Sequence, residues 1–226
     1  MKTRHNPTVL ILSSIVCLLP LLLSFALYND LPEQIAIHWN SAGNPDNFVP
    51  KPLAALGLPF LFLIINLFSK VHLNNDPKRA NTSQAMQIFA AWTPPVLSLI
   101  LVPITLFIAM GINISISLVV PVLVGLLFIV CGNYLPKNRQ NYTIGIKLPW
   151  TLHDADNWNK THRLAGYLYI LGGILLIAGA FIFDNTGTIN GLSLAVFVVI
   201  LLVIVPVIYS FLLYKKKGSG KNEANE

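Results

Sequence analysis

Six apolar runs separated by polar loops divide this chain. None of the runs contains Asp, Glu, Lys or Arg, and they cover residues 8–28, 53–69, 88–110, 114–135, 164–183 and 191–214. A helix of about 20 apolar residues spans a hydrocarbon core of about 30 Å. Because lipid offers the backbone no hydrogen-bond partner, each run is expected to be helical. The pattern predicts an all-α, polytopic integral membrane protein, a bundle of six transmembrane helices.

The basic residues are distributed unevenly among the loops. If the N-terminus is cytoplasmic, 14 of the 15 Lys and Arg residues fall in cytoplasmic segments, and Lys51 is the exception. The positive-inside rule therefore predicts that both termini are cytoplasmic. The same rule accounts for the net charge of +6, so a direct nucleic-acid partner is not predicted.

Two long loops divide the chain into two predicted parts. Residues 1–87 carry the first loop (29–52), which is expected outside the cell. Residues 88–226 carry the signature loop (133–163), which is expected in the cytoplasm. The tail 215–226 begins with three lysines and continues with Gly, Ser, Asn and Glu, a composition typical of disorder. Membrane lipids are the predicted partners of the apolar runs and of these lysines.

The interior of the six runs limits the chemistry that the chain can perform. No His, Asp or Glu lies deep in any run, and the polar residues there are hydroxyls and amides such as Asn66. Proton relays and intramembrane metalloproteases need ionisable groups or metal ligands at that depth. We therefore predict no catalytic residue, no metal, no cofactor and no enzymatic activity. A small-molecule or peptide transporter with a neutral site stays open, as does a structural membrane factor.

The first loop combines an extended segment with a turn. Ile35, Ile37 and Trp39 alternate with Ala36 and His38, which predicts a short strand, and turn-forming residues follow. His38 with a nearby carboxylate suits a partner or a metal, whereas a hydrogen-bonded loop that lies on the bilayer surface needs neither. The predicted binding residues of this loop are Pro32, His38, Trp39, Gly43 and Asp46.

The signature loop carries a helix-start pattern. Pro149 disfavours helix at the preceding residue, and Thr151 followed by Asp154 is close to a capping box. This predicts a helix that starts near Leu152 and continues without a break into the fifth run. Trp150 and Trp158 are expected at the membrane interface. The spacing of His and Asp here matches no common metal site, so a docking surface is the preferred interpretation.

The fifth run repeats small residues every seven positions, at 165–166, 172–173 and 179–180. Small side chains let helices approach closely in lipid, and a seven-residue period keeps them on one stripe. The pattern predicts that the fifth helix is packed at the centre of the bundle.

Both loops contain motifs that resemble known families. Leu31-Pro32, His38-Trp39 and Gly43-Asn44-Pro45-Asp46 resemble the outer-loop pattern of a widespread bacterial membrane domain of unknown function. Asn141-x-x-Ile-Gly-Ile-Lys-x-Pro-Trp-Thr-Leu, followed by Trp158 and Thr161-His162-Arg163, resembles the SdpI family of bacterial membrane immunity proteins. Lys147-Leu148 stands where Arg-Thr is expected, which retains the charge but loses the bidentate geometry of Arg.

The resemblance implies a multi-pass protein of the bacterial plasma membrane with two linked roles. One is protection against a secreted peptide toxin. The other is signalling, through capture of a cytoplasmic transcriptional repressor. The residues that the resemblance assigns to partner binding in the signature loop are Asn141, Gly145, Lys147, Pro149, Trp150, Thr151, Trp158, His162 and Arg163.

Overall fold

The computed structural model describes residues 7–40, 42–183 and 191–223, with side chains described for residues 193–217 in the last range. It contains a two-stranded sheet and eight α-helices within those ranges. The strands are β1 (Gln34–Trp39) and β2 (Pro45–Pro50). The helices are α1 (Pro7–Leu18), α2 (Pro20–Leu27), α3 (Leu58–Asn75), α4 (Gln84–Ala109), α5 (Ile116–Tyr134), α6 (Pro149–His153), α7 (Ala155–Phe183) and α8 (Gly191–Glu223).

Six of the described segments are long and apolar enough to cross a membrane, as predicted. The first is α1 with α2, which meet at Pro20, and the other five contain α3, α4, α5, α7 and α8. The mostly helical architecture is confirmed, but the β1–β2 sheet makes the all-α description incomplete. The chain forms two compact units. The first contains the chain up to Asn75 together with Gln87–Val119, and the second contains Asp76–Met86 and the chain from Val120 onward. This division differs from the predicted boundary at residue 88, because most of the third span belongs with the first two.

The first unit has an apolar core beneath the first loop. Leu31 and Ile35, from the loop and β1, are buried with residues of the π-helical turn Leu53–Gly57 and of α4. The hydroxyl of Ser24 donates to the carbonyl oxygen of Ala55 at 2.6 Å. Ile35, which is 1% exposed, is the one buried residue of β1 and anchors the strand on this core, while Ile37 and His38 remain exposed.

The second unit places α7 in close contact with α5 on one side and α8 on the other. A Cβ atom at Gly173 would lie 2.5 Å from the carbonyl oxygen of Gly125 in α5, and one at Gly172 would lie 2.7 Å from Leu202 in α8. Such distances leave no room for a side chain larger than hydrogen. The close approach of α7 to α5 and α8 agrees with the repeated small residues, whereas a place for this helix at the centre of the bundle stays a prediction.

The C-terminal segment differs from its prediction. Disorder is expected from residue 215, but α8 continues to Glu223. Residues 224–226 lie outside the described residues, and so do the N-terminal basic residues Lys2 and Arg4. Lysine is a good helix former, and extending an existing helix avoids the cost of nucleation. Lys217 also forms an ion pair with Asp154, which holds this part of the helix in contact with the signature loop.

Candidate functional site

The first loop forms a β-hairpin. The antiparallel strands pair Gln34 with Pro50 and Ile35 with Val49, and the register shifts on either side of His38. The expected extended segment over 35–39 is therefore a strand. Its partner β2 was missed because Pro45 and Pro50 are atypical of a strand interior, yet both stand at its ends, where proline is tolerated.

The turn of the hairpin is closed by one asparagine. The side-chain oxygen of Asn40 accepts from the backbone N–H groups of Ala42 and Asn44 at 2.9 and 3.1 Å. Gly43 follows with φ of +81°, a conformation that favours glycine, and a Cβ there would lie 2.6 Å from the hydroxyl oxygen of Ser117. Gly43 thus shapes the turn, and its role as a direct contact stays a prediction.

The hairpin presents polar and apolar side chains outside the core. His38 Nδ1 lies 2.6 Å from Asp46 Oδ1, and these side chains are 66% and 40% exposed. Phe48 is 51% exposed and Ile37 is also exposed. Phe48 was not among the predicted binding residues, although a large apolar residue within a polar stretch is a signal of a binding surface. Within the described ranges, no group of three or more His, Cys, Asp or Glu residues gathers as metal ligands would.

The signature loop is organised by side chains that bond to backbone, and Asp76 is central to it. The buried carboxylate of Asp76 accepts from the Tyr142 N–H at 2.9 Å and from the Thr143 hydroxyl at 2.8 Å, both through Oδ2. Its Oδ1 accepts from the Lys78 N–H at 2.8 Å. Asp76 therefore ties the short connection 76–83 to the signature loop inside the second unit. No local pattern indicates this role of Asp76, since Tyr142 is 66 positions away.

Two asparagines complete this attachment. The side-chain oxygen of Asn138 accepts from the Ser83 N–H at 2.8 Å, and the Asn138 carbonyl accepts from the Trp158 indole N–H at 2.9 Å. Asn141 turns the chain, since its side-chain oxygen accepts from the N–H groups of Thr143 and Ile144 at 3.0 and 2.7 Å. Both asparagines are buried, and such bonds replace the strand ladder that this loop lacks.

Gly145, Trp158 and His162 form a packed cluster. Trp158 and His162 stack with ring centroids 3.9 Å apart and are 0% and 1% exposed. The Ile146 N–H donates to His162 Nε2 at 3.0 Å, and His162 Nδ1 lies 2.7 Å from the Trp158 carbonyl oxygen. Because a carbonyl can only accept, the proton is on Nδ1. Because Nε2 accepts from the Ile146 N–H, it carries no proton, and the ring is neutral. Gly145 has φ of +128°, and a Cβ there would lie 2.5 Å from His162 Nε2.

The helix predicted to run unbroken into the fifth run is interrupted at Asp154. α6 ends at His153, Asp154 is extended, and α7 begins at Ala155. The Asp154 carboxylate accepts from the N–H groups of Asp156 and Asn157 and so caps α7. Thr151 is instead the third residue of α6, and its hydroxyl accepts from the Leu148 N–H at 2.9 Å. The predicted helix start near Leu152 and the pairing of Thr151 with Asp154 in one capping box are therefore wrong, because Thr151 lies inside α6 and Asp154 caps α7.

The end of α8 holds α6 and the cap of α7. The indole N–H of Trp150 donates to the hydroxyl of Ser210 at 2.9 Å, and its ring stacks on Tyr214 with centroids 5.8 Å apart. Lys217 Nζ lies 2.8 Å from Asp154 Oδ2, and this hydrogen bond holds the pKa of the Asp154 carboxyl below its usual value. Ser210 and Lys217 were not predicted as part of the site, because both lie in or after an apolar run.

The predicted signature-loop residues separate into two groups. Four are buried and hold the loop together, namely Asn141, Thr151, Trp158 and His162. Trp158 was expected at a membrane interface but is fully buried, because its indole is stacked and hydrogen-bonded inside the loop. Three are exposed, namely Lys147, Pro149 and Arg163, while Trp150 and Gly145 are partly covered. Only the exposed and partly covered residues are available to a partner.

Comparison with known proteins assigns the regions of the two loops to two different family models. Residues 137–210 match the model of the SdpI/YfhL protein family, and residues 15–63 match a domain of unknown function (DUF1648). The chain is 33% identical over 212 residues to the Immunity protein SdpI of Bacillus subtilis (strain 168), covering 93% of this chain and 98% of that protein. The chain belongs to the SdpI family. This family is one of membrane immunity proteins and not an enzyme family. No solved structure gives a significant match.

Proposed function

We propose that this member of the SdpI family protects its own cell from a secreted, membrane-active peptide. In this proposal the hairpin of the first loop faces outward and meets the peptide, and the signature loop faces the cytoplasm and captures a transcriptional repressor. The observation that carries the proposal is the 33% identity to an immunity protein along nearly the full length of both chains, both loops included.

The exposed side chains of the hairpin support a peptide contact. Phe48 and Ile37 offer apolar area, and His38 with Asp46 adds a hydrogen-bonding pair beside them. A membrane-active peptide exposes apolar side chains and backbone polar groups together, which this mixture complements. The hairpin is anchored by Ile35, so binding costs little ordering of the backbone.

The exposed residues of the signature loop support a protein contact. Lys147, Pro149 and Arg163 are exposed, and the loop beneath them is fixed by the Asp76 and Asn138 hydrogen bonds. A rigid, basic surface suits an acidic patch on a partner. For capture to report on the peptide, the repressor must bind the peptide-bound and peptide-free states with different affinity.

Survival of a peptide-sensitive strain tests the protective role. Cells that express the chain are exposed to graded conditioned medium from the strain that carries its gene, and survival is compared with an empty vector. We expect protection by the chain, weaker protection by the F48S/I37S variant, and unchanged protection by the matched hairpin variant N47A. Equal killing with and without the chain, at confirmed membrane expression, contradicts the proposal.

Pull-down of soluble protein with purified chain tests the capture role. We expect that adding the peptide changes the recovery of the host's repressor, and that Arg163→Ala and Trp150→Ala both abolish that recovery. Lys160→Ala is the control, because Lys160 lies close by on α7 but is paired with Asp156. Recovery that survives both changes would show that the capture surface lies elsewhere.

A further inference from the structure

The cations of the two connections in the second unit are left without carboxylate partners. In the part of the chain that the structure describes, Lys51, Lys160 and Lys217 each form an ion pair with Asp or Glu. No such pair is formed there by the cations of segments 76–86 and 133–159, which are Lys78, Arg79, Lys137, Arg139 and Lys147. This surface therefore carries uncompensated positive charge.

Two of these cations flank one exposed aromatic residue. The ring of Tyr142 is 48% exposed, and Lys78 Nζ lies 5.0 Å from its centroid. Lys147 Nζ lies 3.0 Å from the Thr143 carbonyl oxygen and 3.3 Å from that of Tyr142. The carbonyl contacts direct the Lys147 ammonium toward Tyr142 without neutralising it, since a carbonyl carries no formal charge.

The carboxylate of Asp76 offsets only part of this charge, because its single negative charge stands against Lys78, Arg79 and Lys147 and no ion pair among the described residues joins it to them. Asp76 uses both oxygens on the N–H groups of Lys78 and Tyr142 and on the Thr143 hydroxyl, and it is buried. Arg79 follows Lys78 and has a buried Nε–H for which the described structure holds no acceptor. A buried donor without an acceptor is costly, and a shift of the Arg79 side chain toward an anionic oxygen would satisfy it.

We propose that Lys78 and Lys147 beside Tyr142, together with the adjacent Arg79, bind the phosphate of an anionic phospholipid headgroup. The position favours a lipid over a protein, because α3 ends at Asn75 and α4 begins at Gln84, so the site lies within a few residues of two membrane spans. Tyrosine with flanking lysines is also typical of the headgroup region. Basic residues beside spans attract anionic headgroups, and each Lys or Arg adds to the affinity.

Lipid-dependent thermal stability of the purified full chain in detergent tests the site. We expect phosphatidylglycerol to raise the midpoint of unfolding more than phosphatidylcholine with the same acyl chains. The K78Q/K147Q variant should lose this difference and bind phosphatidylglycerol about tenfold more weakly or worse. K78R/K147R should retain it. K51Q/K160Q should also retain it, because it removes the same net charge from lysines that are already paired.

Three results would overturn the proposal. One is an equal increment from the two lipids in the unaltered chain. The second is an increment in the unfolding midpoint from phosphatidylglycerol that K78Q/K147Q retains in full. If that variant loses binding of a polyglutamate peptide instead, the surface binds an acidic protein partner and not a lipid. The third is inorganic phosphate at matched ionic strength giving the same increment as the lipid. Lys147 belongs to both proposed surfaces, but no secreted peptide or repressor is present here and the capture test changes Arg163 and Trp150 instead, so failure of the lipid site and failure of the immunity proposal are distinguishable.

Discussion

The first loop and the signature loop satisfy their backbone hydrogen-bonding groups in different ways. The first loop pairs its backbone with itself in a hairpin and buries few side chains, chiefly Ile35. The signature loop has no strand in the described structure, and buried side chains such as Asp76 and Asn141 satisfy its backbone. A hairpin leaves its outward side chains free for a ligand, whereas the signature loop uses four of its nine predicted residues to hold its own shape.

This contrast changes what the motif of the signature loop means. Trp158 and His162 look like binding residues in the sequence, yet they are stacked on each other inside the fold. Their loss would remove function indirectly, by unfolding the surface that carries Lys147 and Arg163. In the hairpin, by contrast, His38 and Phe48 can be changed with little effect on the core.

The largest effect is expected at Gly145. Gly145→Ala forces a side chain into φ of +128° and into the His162 ring, and it disturbs the Ile146–His162 hydrogen bond. We expect a loss of about 3 kcal/mol, from backbone strain and the lost hydrogen bond together. Gly43→Ala in the hairpin should cost about 1–2 kcal/mol, because the Ser117 hydroxyl it meets can rotate away. Thermal unfolding in detergent measures both.

Gly111→Ala is the matched control for backbone strain alone. Gly111 has φ of +87°, and a Cβ there meets nothing within 4 Å. Its cost should be about 1 kcal/mol and the smallest of the three. If Gly145→Ala were no worse than Gly111→Ala, the packed cluster of Gly145, Trp158 and His162 would not be as described.

The second effect compares one carboxylate from each region. Asp76→Asn removes a buried charge that accepts three hydrogen bonds, and we expect a loss of about 2 kcal/mol. Asp46→Asn removes the carboxylate of an exposed pair, so its cost should stay below about 1 kcal/mol. The unfolding midpoints of the two variants compare these costs directly. A larger loss at Asp46 would contradict the description of Asp76 as holding the signature loop together and of Asp46 as an exposed surface residue.

The smallest effect is the pH dependence of the Asp154–Lys217 ion pair. Because the folded pKa of Asp154 is lowered, the pair stabilises the fold at pH above the carboxyl's unfolded pKa of about 3.9, and this contribution is lost as the pH falls through the folded value. Asp154→Asn keeps a capping oxygen but loses the charge. It should be less stable by under about 1 kcal/mol at pH 7, since both side chains are partly exposed.

Comparison across pH isolates the charge. The deficit of Asp154→Asn should shrink as the pH is lowered below the folded pKa, where the unaltered carboxyl is neutral as well. A deficit that is the same at pH 7 and at the acidic end would mean that the cap rather than the ion pair carries the effect.

The sequence predicts the spans well and the loops in part, for physical reasons. Apolar runs identify the spans because lipid imposes one solution on every segment. The alternation at 35–39 identifies β1, whereas the prolines of β2 conceal it. Two adjacent helix-start signals were merged into one, because local patterns do not show that Asp154 is extended. Asp76 and Ser210 were missed because their partners are distant in the chain, and a contact between distant segments leaves no periodic pattern.

Site-specific photocrosslinking tests the central claim that the hairpin, and not the signature loop, meets the peptide. A photoreactive phenylalanine analogue is placed at position 48 in one variant and at position 163 in another, and cells are irradiated with the secreted peptide present. We predict a crosslinked peptide adduct from position 48 and none from position 163. An adduct from position 163 with none from position 48 would contradict this account.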